Sequence, residues 1–144
     1  RFVLPGYNLR PLEMSGAIGS IQIQKFPNFL IQRKKNAEFF LDNMKKYDDI
    51  ITQKEIGSSS WFGFSIVIRP DSKRTRSSLL KRLYEIGFEC RPIVTGNFAK
   101  NDVVKYFNHE VYDELINANL VDKNGIFLGN HHINMENAFN SLIL

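Results

Sequence analysis

Trp61–Ile68 reads WFGFSIVI, a run of aromatic and β-branched residues bounded by Gly57-Ser58-Ser59-Ser60 on one side and Pro70-Asp71 on the other. That composition between turn residues predicts a strand, and its nearly continuous apolar character predicts a strand covered by other elements. Working outward, Ile50–Glu55 reads as a short strand that can pair with it. Downstream, Ser72 or Thr75 can cap a helix that carries Leu79, Leu80, Leu83 and Ile86 and ends at Gly87. Phe88–Val94 reads as the next strand, leading into a loop with Gly96. Asp102–Phe107 and Val111–Ala118 read as short helices, Ile126–Leu128 as a strand ending in Gly129-Asn130, and Asn134–Leu144 as a closing helix. Upstream, Phe2–Pro11 is an extended lead-in. A helix follows from Leu12 to Phe26, with Ser15, Gly16 and Gly19 suited to close packing on another backbone. Pro27 is expected to stop it before a second helix over 28–46, whose inner face is Phe29, Leu30, Arg33, Ala37, Phe40, Leu41 and Met44. The sum is an α+β fold with a small, mostly antiparallel sheet packed with helices.

The composition agrees. With 43% hydrophobic and 24% charged residues in 144, the chain can fill one core, which excludes a disordered or collagen-like segment. The single Cys90 excludes an internal disulfide and fits a reducing compartment, hence a cytoplasmic location. No run reaches the ~18–20 apolar residues of a membrane span, so no membrane partner is expected. The net charge of +4 is spread over short clusters such as Arg33-Lys34-Lys35 and Lys73-Arg74-Thr75-Arg76, the pattern of solvated helix faces. The chain opens on Arg1 with motifs in its first dozen residues, so it reads as part of a larger protein.

Self-contained chemistry is sparse. There is no phosphate-binding glycine loop and no Cys/His metal spacing. His131 and His132 are adjacent, so a strand would point them apart and only a turn could bring them together. Cys90 could be paired on paper with His109 or His131, yet inside an apolar strand it reads as a small buried hydrophobe. Three polar segments stand out. Gly6-Tyr7-Asn8-Leu9-Arg10 sets an amide and a guanidinium on one side of an extended chain. Glu89-Cys90-Arg91 sets a carboxylate and a guanidinium two apart, either as a ligand-binding pair or as a simple ion pair. Gly129-Asn130-His131-His132 ends a strand with polar groups, most simply as a turn.

Over its whole length the chain resembles the small C-terminal domain of the DegT/DnrJ/EryC1/StrS sugar aminotransferases, pyridoxal-phosphate enzymes of fold type I. The resemblance is carried by GYNLRPLEMSGAIGSIQIQKF (residues 6–26) and by QRKKNA (residues 32–37). SSWFGFSIVI, ECRPIVTGNF and DKNGIFLGNHH are similar to a narrower branch, which removes the C3 hydroxyl of GDP-linked 4-keto-6-deoxymannose on the way to colitose, a sugar of bacterial O-antigen. The resemblance implies that residues 1–144 form the small domain, with 1–26 as lead-in and connecting helix from a large domain. It implies that pyridoxal or pyridoxamine 5'-phosphate is bound mainly by that large domain, which also holds the active-site base, so this chain carries no catalytic residue and is inactive alone. Asn8 is expected to reach the cofactor phosphate in the partner subunit of a homodimer. Arg10, Glu89 and Arg91 are expected to contact the nucleotide-linked sugar, with glutamate as amino donor.

Two other readings stand beside this one. An aminotransferase of the same family, resembling perosamine synthase, would differ in having Lys in place of His at the base position. A free-standing basic module for nucleic acid would need a continuous basic stripe with exposed aromatics. The aromatics here read as core positions, so no nucleic-acid partner is expected.

Overall fold

The computed structural model describes residues 12–142. Within them, one long helix and three shorter ones pack against a four-stranded sheet, the α+β arrangement expected. The strands are β1 (Ile50–Thr52), β2 (Gly63–Ile68), β3 (Cys90–Arg91) and β4 (Gly125–Gly129). Their order is β1-β2-β4-β3, and all three pairings are antiparallel. The inner face of β2 and β4 presents Phe64, Ile66, Ile68, Ile126 and Leu128, all essentially without solvent contact. Phe40 of the long helix α1 (Glu13–Met44) stacks on Phe64 with ring centroids 4.2 Å apart. Phe139 of α4 (Glu136–Asn140) meets both rings edge-on at 5.5 Å. These three aromatics are the centre of the core.

Several boundaries differ from the sequence reading, each for a local reason. Pro27 does not stop the first helix: α1 runs through it as a single 32-residue element. The missing N–H deprives only the Ile23 carbonyl of its helical partner, and every residue from 13 to 28 is exposed, so water can take the donor's place. No part of the described chain covers that half of α1, and side chains added at Gly16 and Gly19 would meet nothing within 4 Å. The tight packing expected there is not made among the described residues. Beyond Pro27 the expected inner face holds, with Ala37, Phe40 and Met44 buried.

β1 is shorter than expected because a side chain takes over its ladder. Gln53 donates to the Gly63 carbonyl at 2.9 Å and accepts from the Ser65 amide. β2 starts at Gly63 because Trp61 takes a left-handed backbone with φ 51°. β3 pairs over only two residues, since Pro92 has no N–H to continue the ladder and Val94 turns left-handed at φ 54°. Left-handed Asp113 and Leu115 hold the chain out of a helix until Ile116, so α3 spans Ile116–Asn124 rather than 111–118. Phe98–Lys100 and Asp102–Tyr106 form 3₁₀ turns, and α4 is only five residues long.

The helix α2 (Arg76–Glu85) follows the sequence closely. Thr75 caps it in a reciprocal box with Ser78. Gly87, at φ 87°, closes it with the Phe88 amide donating to the Leu83 carbonyl at 2.9 Å. Not every aromatic is a core residue: Phe62, Tyr106 and Tyr112 are more than two-thirds exposed. No helix among the described residues is long and apolar enough to cross a membrane.

Candidate functional site

β3 and β4 part after the Cys90↔Leu128 pair, and a groove of about 530 Å³ opens where they separate. Phe88 and Glu89 stand on one side and Gly129, Asn130 and His131 on the other, with Met135 and Ala138 near α4. Phe62 and Phe127 stack at 6.0 Å along the same opening. Arg91 also lines it, and its guanidinium donates to the Glu89 carboxylate at 3.1 Å. Both ends of this ion pair are more than three-quarters exposed. Water screens such a pair, so it contributes little to stability and opens easily for a ligand.

The groove is held in shape by a buried amide node. Asn36 of α1 is 1% exposed and donates through Nδ2 to Asn130 Oδ1, the His131 carbonyl and the Ile133 carbonyl at 2.8–3.1 Å. Its Oδ1 accepts from Gln32 and from the Met135 amide. Asn130 donates to the carbonyls of Arg33 and Trp61 at 3.0 and 2.8 Å, and its own amide reaches the Phe62 carbonyl at 3.2 Å. Two side-chain amides thereby tie α1, the entry to β2 and the exit of β4 together. Their donors and acceptors are well used, as burial demands. The sequence reading placed Asn130 in an ordinary turn and left Asn36 without a role. Its place beside Ala37 and one turn before Phe40, next to the face expected to be inward, was the available signal for Asn36.

His131 and His132 do come together, because the chain after β4 turns: their rings stack at 4.2 Å, and His132 stacks on Phe29 at 4.0 Å. Desolvation, then the neighbouring His131, Arg33 and Lys25, lower the pKa of His132 from 6.5. No group of three or more metal-ligating residues exists among the described residues. Cys90 is buried, and burial followed by the Glu89 charge pushes its thiol up to about 11. It is not a nucleophile in this setting.

Of the four residues singled out for binding, Glu89 and Arg91 are brought together on one groove, while Asn8 and Arg10 lie outside the described residues. The described residues do not by themselves make a site for the pyridoxal phosphate that the resemblance assigns mainly to another domain. The groove has no lysine, and its one carboxylate is exposed and already faces Arg91.

Comparison with known proteins agrees with this architecture. The chain is 56% identical over 136 residues to GDP-4-keto-6-deoxy-D-mannose 3-dehydratase of Escherichia coli O55:H7, covering 94% of this chain and 35% of that protein. Among solved structures, a GDP-4-keto-6-deoxymannose-3-dehydratase with bound GDP-perosamine superimposes with a TM-score of 0.91 at 54% identity, over 99% of this chain and 37% of that one. Another, with a trapped PLP-glutamate geminal diamine, gives 0.88 at 52% identity, over 99% and 38%. The chain thus spans little more than a third of the length of these relatives. The model of the DegT/DnrJ/EryC1/StrS aminotransferase family matches residues 2–139, nearly the full chain, and the chain belongs to that family.

Proposed function

We propose that this chain is the small-domain part of a pyridoxal-phosphate-dependent GDP-4-keto-6-deoxymannose 3-dehydratase and supplies the groove that holds the nucleotide sugar. The 56% identity to such an enzyme over 94% of the chain carries the reading. The groove chemistry supports it. Glu89 offers two acceptor oxygens, the match for paired N–H donors on a guanine edge, and Arg91 offers a planar set of donors to a phosphate. The exposed Phe62 adds an aromatic face beside them.

Residues 1–144 are then the C-terminal small domain, and 1–26 the lead-in and connecting segment. The exposed first half of α1, with Met14, Ile18, Ile21 and Phe26 open to solvent, suits a helix covered by the rest of the enzyme. Asn8 contributes to the cofactor phosphate and Arg10 to the substrate, both across the interface of a cytoplasmic homodimer serving colitose synthesis. Bound pyridoxal or pyridoxamine phosphate supplies the electron sink and the amino-group carrier for removing the C3 hydroxyl, with glutamate as donor. One similar solved structure holds GDP-perosamine and another a PLP-glutamate geminal diamine, which supports both small-molecule partners.

The full-length protein, incubated with GDP-4-keto-6-deoxymannose, cofactor and glutamate, is expected to release ammonia and a 3-deoxy sugar nucleotide. Formation of a 4-amino sugar instead would make it an aminotransferase. The 144-residue chain alone is expected to release no ammonia above blank.

A further inference from the structure

Two glycines face each other across β2 and β4, Gly63 and Gly129. They are not equivalent. A Cβ on Gly63 would overlap the Phe127 ring and the Leu128 carbonyl, so the space beside Gly63 is already filled by the protein. A Cβ on Gly129 would meet no atom within 4 Å, although Gly129 lines the groove between Glu89 and Asn130. Nor does its backbone need glycine, since it is absent from the positive-φ residues. Gly129 is the exposed last residue of β4, and neither its backbone nor its packing within the described chain calls for glycine.

The surroundings of this empty space are rigid and suited to a flat ring. The Asn130 amide holds the Phe62 carbonyl, and the Asn130 side chain holds Trp61 and Arg33, so the backbone on either side of Gly129 is fixed. Phe62 is 72% exposed yet kept in place by its stack on Phe127. The Glu89 carboxylate lines the same opening. We infer that Gly129 is a specificity-determining residue of the groove, its absent side chain leaving the seat for the nucleobase of the bound nucleotide beside Phe62. This inference rests on the nucleotide-sugar reading of the groove.

The test is titration of the full-length protein with GDP and with guanosine, for wild type, Gly129→Ala, Gly129→Val, Glu89→Gln and Arg91→Ala. Gly129→Val is expected to weaken both ligands by the same factor, roughly ten-fold or more, with Gly129→Ala between it and wild type. The melting temperature of unliganded Gly129→Ala is expected not to fall, because a Cβ at this position meets no described protein atom within 4 Å. Wild-type GDP affinity in Gly129→Val, or a loss for GDP that guanosine does not share, would overturn the seat. Should Gly129→Val melt early, Gly129→Ala carries the decision, and wild-type affinity there overturns the inference equally. If Glu89→Gln and Arg91→Ala weaken GDP while both Gly129 variants bind normally, only this inference falls. If none of the four alters GDP binding, the groove reading falls with it.

Discussion

At the scale of single residues, Asn130 and Arg91 lie at opposite energetic extremes of the same groove. Asn130 is 7% exposed, and its amide group donates to two carbonyls. Asn130→Ala is expected to cost about 1–3 kcal/mol for each buried group left unpaired, read as a lower urea midpoint. Asn130→Asp is expected to be worse still, because a carboxylate cannot donate and would face the Trp61 and Arg33 carbonyl oxygens. An Asp variant more stable than the Ala variant would refute the donor assignment. Arg91, exposed and paired among the described residues with exposed Glu89, should leave the melting temperature unchanged when replaced by Ala. If it holds the nucleotide sugar, the same variant of the full-length protein raises KM by roughly ten- to a hundred-fold. Arg91→Lys keeps the charge but loses the planar fork, so a partial rescue is expected. An unchanged KM would leave Arg91 with only its ion pair.

At the scale of elements, the joint between α1, β1 and α2 depends on Asp49. Its carboxylate accepts from Ser72 at 2.7 Å and from Arg74 at 3.0 Å, and Arg74 also sits over the Tyr47 ring. The Arg74 hydrogen bond, then that from Ser72, hold the Asp49 pKa below its ordinary value of 3.8. A depressed carboxyl pKa stabilises the fold above the ordinary value, and that contribution is lost as pH falls through the folded-state value. Asp49→Asn is therefore expected to melt below wild type at pH 7, with the gap closing under acid conditions below about pH 4. A gap that stays constant down to pH 2.5 would show that the side chain acts through shape rather than charge.

At the scale of the whole molecule, the exposed apolar half of α1 and the open groove both point outward from this chain's own core. If the full-length protein is the site-sharing homodimer proposed above, Asn8→Ala and a variant lacking the large-domain base carry lesions in complementary halves. Mixing the two full-length variants is expected to restore part of the activity, since one site of each mixed dimer collects both lesions and the other neither. No recovery, with subunit exchange demonstrated by mass spectrometry, would place Asn8 in its own subunit's site.

The sequence by itself determined the fold class, a strand over 61–68 that the structure starts at Gly63, the capped and glycine-terminated α2, and the inner face of α1 beyond Pro27. These follow from short-range periodicity and cap chemistry, which a few neighbouring residues specify. It also paired Glu89 with Arg91, because two residues apart in extended chain is a local distance. Only the tertiary structure decided that Asn36 and Asn130, 94 positions apart, share one hydrogen-bonded node. It alone separated Gly63, covered by Phe127, from Gly129, left open by the described residues. It also carried α1 through Pro27, because the cost of a proline depends on whether water or protein surrounds the carbonyl it orphans. Such distinctions turn on which distant atoms fill a given space, and no local pattern along the chain encodes that.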